Sequence, residues 1–149
     1  MKYLITIFIF LWLLSSCSKS PACWGDDKNK GIINNSIIIN CSPTIYKENY
    51  VITSDSIYKQ IFLDTTISQT ICQLPNIDFS KETLLGLVAT GQCNTKVIRE
   101  VISLDNEKKY HYKVKIRSCG QCKKEMFTYN WVTVPKLPSD WTVSFEVAE

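Results

Sequence analysis

The sequence predicts a mostly β fold with a minor helical part: an antiparallel sheet, a sandwich or a partly open barrel, with one short helix and stabilising disulfide bonds. Runs of β-branched and aromatic residues recur along the chain and are separated by short polar turns. A single segment has the spacing of an amphipathic helix. Hydrophobic residues make up 45% of the chain and charged residues 21%, which is typical of a globular domain and excludes a disordered one.

Two strands and the helix are predicted in the first half of the domain. Residues 32–40 and 45–53 are β-branched runs, which favour strands. Residues 54–62 form the predicted helix, because Ser54 is a suitable N-cap and Asp55 lies in the first turn. Its apolar side chains share one helical face, at Ile57, Tyr58, Ile61 and Phe62.

Five further strands are predicted in the second half of the chain. They cover residues 84–89, 95–104, 109–117, 126–134 and 141–147. The polar turn at residues 105–108 joins two of them into a hairpin. Because this turn is centred near residues 106–107, the numbers of opposed residues should sum to roughly 213, within a slip of about two. Consecutive strands with short turns predict a mostly antiparallel sheet.

The first sixteen residues have the features of a secretory signal peptide. Met1-Lys2 is followed by an apolar run over residues 3–14 and then by Ser15 and Ser16. A membrane-spanning helix needs roughly 20 apolar residues, so this run is too short to be one. We therefore expect export and removal of residues 1–16, which leaves 133 residues and lowers the net charge from +3 to +2.

The end of this segment, Leu14-Ser15-Ser16-Cys17, resembles the lipobox of bacterial lipoproteins. In that family the cysteine thiol accepts a diacylglycerol, a peptidase cuts before it, and its new amino group is acylated. The resemblance implies a lipid anchor of palmitate-type chains on Cys17, and several chains on one residue anchor a protein stably. Because Ser18 and not aspartate follows, we expect the outer membrane of the bacterial envelope. The alternative is an ordinary signal with Cys17 as a spare thiol.

Behind the lipidated cysteine, the chain divides into a tether and one domain. Residues 17–31 are polar and interrupted by proline and glycine, which predicts a flexible tether. Asp26 and Asp27 are interpreted as charges of this tether. Residues 32–149 are long enough to form a single β-rich domain with one core.

Seven cysteines then divide into one lipid acceptor and six that can pair in an exported chain. The six are Cys23, Cys41, Cys72, Cys93, Cys119 and Cys122. The hairpin register places Cys93 beside Cys119 and Cys122, so we predict a disulfide between Cys93 and one of the two. We also expect Cys41 to pair with Cys72, which leaves Cys23 in the tether as the least constrained. Sequence alone does not decide among the 15 connectivities.

The spacing Cys119-Gly-Gln-Cys122 also suits a thiol–disulfide enzyme. In thioredoxin-like enzymes such a pair opens a helix whose N-terminus stabilises the thiolate. Here the pair lies between two predicted strands, with room for one helical turn at residues 123–125, so the redox role is the alternative to a structural disulfide. A zinc site would need Cys93 and His111 as further ligands, but His111 lies in mid-strand, away from the cysteines. We expect no metal and no cofactor.

A basic surface is predicted on the strand at residues 109–117. His111, Lys113, Lys115 and Arg117 alternate with apolar residues and so share one face. We interpret this face as the solvated side of a half-buried strand, with Glu100 of the paired strand facing Lys113. The alternative is a surface for an anionic partner such as lipid headgroups or lipopolysaccharide.

Several other kinds of function are excluded or disfavoured by composition. The five glycines are isolated, which excludes a glycine-rich phosphate loop. No serine lies in a nucleophile elbow or a Ser-x-x-Lys box, so no catalytic residues are predicted. The charge of +3 is too mild for a nucleic-acid partner. The aromatic residues Phe127, Tyr129 and Trp131, spaced by two, are predicted to lie in the core.

The C-terminal half resembles the C-terminal domain family of the PrcB protease-complex subunit. The matching stretches are Asp78-Phe-Ser-Lys-Glu-Thr83, Leu84-Leu-Gly-Leu-Val88, Thr90-Gly91, Trp131-Val-Thr-Val-Pro-Lys136 and Val143-Ser-Phe-Glu-Val147. The resemblance covers about half of the chain and implies a small β-rich domain without catalytic residues, linked by name to proteolysis. The chain departs from the family at Gly91-Gln92-Cys93, where Gly-Gly-Tyr is more usual, and in having the Cys119/Cys122 pair.

These observations together predict a lipoprotein that acts as a non-enzymatic binding or accessory module of the bacterial envelope, with a link to proteolysis. Its expected partners are the membrane, through the lipid anchor, and a protein of the envelope. The alternative function is an envelope thiol–disulfide oxidoreductase that uses Cys119 and Cys122.

Overall fold

The computed structural model describes residues 25–62, 73–92, 95–119 and 124–148. In chain order their elements are β1 (Lys28–Gly31), β2 (Asn35–Ile37), β3 (Asn49–Ile52), α1 (Asp55–Phe62), β4 (Glu82–Gln92), β5 (Thr95–Leu104), β6 (Lys109–Ser118), β7 (Glu125–Pro135) and β8 (Thr142–Ala148). A 3₁₀ turn, Asp105–Glu107, joins β5 to β6. The prediction of a mostly β fold with one short helix is therefore confirmed. No helix within these four ranges is long and apolar enough to cross a membrane.

The strands form two four-stranded sheets that are packed as a sandwich and not closed into a barrel. The front sheet has the order β1-β5-β6-β8, and the back sheet has the order β2-β7-β4-β3. Apolar side chains from both sheets form the inner core, including Val101, Tyr112, Val114, Leu85 and Val132. This core is the main hydrophobic contribution to stability, because these side chains are almost completely removed from water.

A second core lies on the other face of the back sheet, beneath α1. Tyr58 and Phe62 of the helix are buried there against Leu84, Val88 and Trp131. Strand β4 is therefore buried on both faces, which explains why its apolar run over residues 84–89 is continuous and does not alternate. The helix begins as predicted, because the Ser54 hydroxyl accepts a hydrogen bond from the Ile57 amide at 3.4 Å.

The β5–β6 hairpin has the register expected from the sequence. Thr95 is paired with Ser118, and Glu100 with Lys113, so opposed residue numbers sum to 213. Lys108 closes the turn in the left-handed conformation, with φ of 49°. The local chemistry of the turn is thus sufficient to set the alignment of the whole hairpin.

Most strand pairs are antiparallel, as predicted, but the two pairs at the edges of the front sheet are parallel. Strand β1 is parallel to β5, and β8 is parallel to β6. A hairpin imposes antiparallel pairing only on strands that are consecutive within one sheet. The chain passes from β1 in the front sheet to β2 in the back sheet, and from β7 back to β8, so no hairpin sets these directions.

The first strand of the domain begins earlier in the chain than the sequence predicts. Residues 28–31, which the sequence assigns to the tether, form β1 in the front sheet. Gly31 adopts a φ of +74°, and a Cβ there would lie 1.9 Å from the Val101 carbonyl oxygen, so only glycine allows this close approach. The strands predicted at residues 32–40 and 45–53 are present but shorter than expected: they form the edge strands β2 and β3, of three and four residues.

Candidate functional site

A cleft lies between the two sheets at the edge formed by β3 and β8. Its volume is about 760 Å³, which is within the usual range for sites that bind small molecules or peptide side chains. Residues from both sheets line it, among them Tyr46, Glu48, Val88, Ile116, Phe127 and Phe145. We call this feature the edge cleft. It exists because the sandwich is not closed into a barrel at this edge.

The rim of the edge cleft carries large apolar side chains in contact with solvent. Phe127 is 70% exposed, Tyr46 is 62% exposed and Val147 is 46% exposed. The prediction that Phe127 lies in the core is therefore wrong. Trp131 is buried beneath α1, and Tyr129 stacks on it with ring planes 6° apart, but Phe127 lies farther along β7 and stays open to solvent. A cluster of exposed apolar side chains around a cleft marks an interaction surface.

Tyr50 holds the segment that carries Tyr46 in a defined position. Its hydroxyl donates to the Ile45 carbonyl at 2.9 Å and accepts from the Lys47 amide at 2.8 Å. The Glu48 carbonyl accepts from the Val88 amide at 2.8 Å, which attaches the same segment to β4. Burial raises the pKa of the Tyr50 hydroxyl, so it remains a neutral donor at physiological pH. These hydrogen bonds hold the backbone on both sides of Tyr46 in place against β3 and β4.

The floor of the edge cleft is equally well supported. Phe145 of β8 packs against Tyr112, with ring centroids 6.1 Å apart. The Tyr112 hydroxyl donates to the Asn130 carbonyl at 3.1 Å, and burial raises its pKa strongly. The edge of β8 that faces away from β6 has no strand paired with it among the described residues. Backbone groups of such an edge are available to an added strand.

A partly buried polar network, which the sequence did not reveal, lies at the opposite edge near β1. Arg99 donates to Asn130 through Nε at 3.2 Å and to Asp27 through Nη2 at 3.1 Å. Asp27 also accepts from the Val97 amide at 3.0 Å. Asp27 is thus a structural partner of β5, and its interpretation as a tether charge is wrong. The available signal was the alternation Val97-x-Arg99-x-Val101, which places an arginine on an apolar face.

The predicted basic residues lie together on the outer face of the front sheet. His111 contacts Ser144 through Nδ1 at 2.9 Å and Glu146 through Nε2 at 3.0 Å. Lys113 forms an ion pair with Glu146 at 2.6 Å, and hydrogen bonds from Lys113 and His111 lower the pKa of that carboxyl. Both ring nitrogens of His111 are therefore engaged by β8, and the ring has a structural role.

Five of the seven cysteines lie outside the described residues: Cys17, Cys23, Cys72, Cys93 and Cys122. Cys41 and Cys119 lie within them and take part in disulfide bonds, but no complete pair of cysteines is described. The pairings of Cys93 with Cys119 or Cys122, and of Cys41 with Cys72, therefore stay predictions.

Backbone topology bears on the first of these pairings. Residues 93–94 connect β4 to β5, and the segment from Cys119 to Lys124 connects β6 to β7. Gln92 is paired with Glu125, and Thr95 with Ser118, so both connections start and end at the same end of the sandwich. Glu125 begins strand β7, so the helical turn considered for residues 123–125 is not formed at Glu125.

Comparisons with known proteins found no match: no family model, no curated protein and no solved structure is similar to the chain. The resemblances to the lipobox and to the PrcB C-terminal domain family therefore stay predictions.

Proposed function

We propose that this protein is a lipid-anchored, non-enzymatic binding module of the bacterial envelope that takes an extended segment of another protein in the edge cleft. The observation that carries the proposal is the presence of three exposed apolar side chains, Tyr46, Phe127 and Val147, at the rim of a cleft of about 760 Å³. Exposing Phe127 and Tyr46 to water is unfavourable in the free protein, and a partner that covers them regains that free energy.

An extended polypeptide suits this cleft because of the strand that borders it. Strand β8 alternates: Val143 and Phe145 pack against the inner core, and Val147, next on the same side, lies exposed at the rim of the cleft. A peptide added beside β8 forms backbone hydrogen bonds with its open edge and directs every second side chain toward the cleft. We therefore expect a ligand with apolar residues at alternate positions.

The anchor and the location rest on the N-terminal segment. Acyl chains on Cys17 would hold the domain at the membrane, and Ser18 favours the outer membrane. Replacing Cys17 by Ala should release the protein from washed membranes into the soluble fraction. Unchanged membrane association of Cys17→Ala would contradict the lipid anchor.

A peptide-display experiment tests the edge cleft. Purified full-length protein is used to select from a library of random linear peptides, and the selected peptides are resynthesised for titration. We expect apolar residues at alternate positions, and at least tenfold weaker binding to Phe127→Ser, because the lost aromatic contact is central to the rim. Phe127 is mostly exposed, so this variant should fold normally.

The matched control is Ile38→Ser, which removes an apolar side chain that is 81% exposed at the β2 edge of the back sheet. This variant should bind the selected peptides as tightly as the wild type. Equal loss of binding in both variants, or no enrichment of any peptide, would contradict a binding role for the edge cleft. A link to proteolysis, which the PrcB resemblance implies, is supported if the selected sequence occurs in an envelope protease.

The alternative proposal is a thiol–disulfide oxidoreductase that uses Cys119 and Cys122. It is supported by the location of Cys119 in a connection at the end of the sandwich and by its participation in a disulfide. Strand β7 begins at Glu125, so a helix N-terminus of the thioredoxin type does not stabilise a thiolate there. Alkylation of the native protein under mild reduction distinguishes the two: a rapidly reduced, acidic thiol supports the enzyme, and cysteines that react only after unfolding contradict it.

A further inference from the structure

The outer face of the front sheet concentrates the positive charge of the domain. Seven basic side chains lie on this face among the described residues: Lys28, Lys30, Lys96, Lys109, Lys113, Lys115 and Arg117. Within the strands of this face only Glu100 and Glu146 are acidic, and Glu107 of the adjoining turn forms an ion pair with Lys109. Elsewhere, the described residues carry seven basic and ten acidic side chains, so the rest of the domain is net negative.

The charge is also uneven along this face. Lys96 of β5 is paired with Arg117 of β6. Two residues further along β5, Ile98 lies between its partners Lys28 of β1 and Lys115 of β6, and the side chains of this second row also face outward. We call Lys28, Lys96, Lys115 and Arg117 the basic patch. The carboxylates of Glu100 and Glu146 lie one row further along the sheet, on either side of Lys113, and Glu146 forms an ion pair with Lys113. Within the described strands, no carboxylate lies beside Lys28, Lys96 or Arg117, while Lys115 has a partner of its own and Asp26 lies just before β1.

The basic patch lies at the end of the sheet where the chain enters β1. Lys28, the first residue of that strand, is itself a member of the patch. Seven residues lie between Cys17 and Gly25, the first described residue, and the eight residue-to-residue steps span at most about 29 Å when fully extended. If acyl chains hold Cys17 in a bilayer, this length keeps the patch close to the headgroups.

We propose that the basic patch contacts the phosphate headgroups of an anionic phospholipid bilayer and thereby orients the anchored domain with its front sheet toward the membrane. This inference rests on the proposed lipid anchor. The charges are complementary, and the anchor supplies the proximity that four side chains alone do not provide. Attraction acts over about 10 Å at 0.1 M salt, so the contact is expected to weaken as salt increases.

Amine footprinting of the lipidated protein in vesicles tests this orientation. Full-length protein extracted from membranes is reconstituted into phosphatidylcholine vesicles with or without phosphatidylglycerol, and lysines are acetylated under single-hit conditions. Lys28 and Lys96 are the reporters, since Lys115 has a partner of its own. We expect both to react at least about fivefold more slowly on the anionic vesicles, while Lys47 and Lys59 react equally on both.

Two charge-matched variants complete the experiment. Lys96→Gln with Arg117→Gln should lower the ratio of docked to undocked protein about 25-fold, at about fivefold per basic residue, and restore the reactivity of Lys28. Lys47→Gln with Lys59→Gln removes the same charge from exposed positions away from the front sheet and should leave the protection intact.

The outcomes separate the orientation from the anchor. Protein that stays with the vesicles but reacts equally on both types would overturn the docking and leave the anchor intact. Protection that persists at 1 M salt, or that occurs on neutral vesicles, would indicate contact with a second copy and also overturn it. Protein that does not pellet with vesicles would contradict the anchor and this inference together.

Discussion

Gly86 lies where two aromatic rings meet across three strands, and replacing it with Ala should destabilise the domain. Gly86 is paired with Tyr50 of β3 on one side and with Trp131 of β7 on the other. The rings of Tyr50 and Trp131 are 5.0 Å apart between centroids. A Cβ on Gly86 would lie 2.0 Å from Cζ3 of Trp131, which is far inside van der Waals contact.

The magnitude follows from how little the tryptophan can move. Trp131 is only 2% exposed and also packs against Phe62 of the helix at 5.3 Å. Overfilling a packed core in this way costs about 1–3 kcal/mol. For a domain of this size we expect Gly86→Ala to lower Tm by about 4 °C per kcal/mol. Urea unfolding of the purified protein, followed by tryptophan fluorescence and by circular dichroism, measures the change.

A double-mutant cycle decides whether the steric conflict is the cause. In a Trp131→Leu background the ring is absent, so Gly86→Ala should be neutral or stabilising by up to about 1 kcal/mol, because alanine restricts the unfolded chain more than glycine does. An equal cost of Gly86→Ala in both backgrounds would refute this reasoning and assign the role of Gly86 to its backbone conformation.

Two further predictions concern the polar contacts of the front sheet. Arg99→Met should destabilise the domain by about 1–3 kcal/mol in urea unfolding, since the side-chain oxygen of the buried Asn130 loses its donor and the half-exposed Asp27 loses its ion pair, and a cost below about 0.5 kcal/mol would contradict the role of the network. The pKa of Glu146 is lowered in the folded state, mainly by the hydrogen bond from Lys113, so its contribution to stability is present above the unfolded pKa and is lost as pH falls through the folded pKa. Glu146→Gln should therefore lower the unfolding midpoint at pH 7 and have a smaller effect at pH 3, and a difference that does not vary with pH would contradict the assignment.

The features predicted correctly are those that depend on residues close together in the chain. The β5–β6 register follows from the turn at residues 105–108, and the helix follows from the N-cap at Ser54 and the spacing of Tyr58 and Phe62. Turn geometry and capping act over a few residues, so their effect can be inferred without the rest of the fold.

The candidate site was only partly predictable, because its residues come from strands that are distant in sequence. The basic residues His111, Lys113, Lys115 and Arg117 were placed on one face by simple alternation, and the front sheet has them there. The edge cleft was not predicted, because Phe127 has the same strand periodicity as the buried Trp131. The two side chains differ in burial because α1 covers Trp131 and not Phe127. Strand periodicity gives no information about which part of a sheet a helix covers.

The sequence by itself determined the strands from β4 to β8, where the helix begins and how the central hairpin is aligned, since these depend on local steric and hydrogen-bonding preferences. It did not reveal β1, which lies in the segment assigned to the tether. Only the tertiary structure decided that β1 and β8 pair in parallel, that Arg99 is satisfied by Asp27 and Asn130, and that an apolar rim remains open at the β3–β8 edge. These features depend on which sheet each strand joins, and that choice is made by long-range packing, in which residues far apart in the chain compete for the same buried surface.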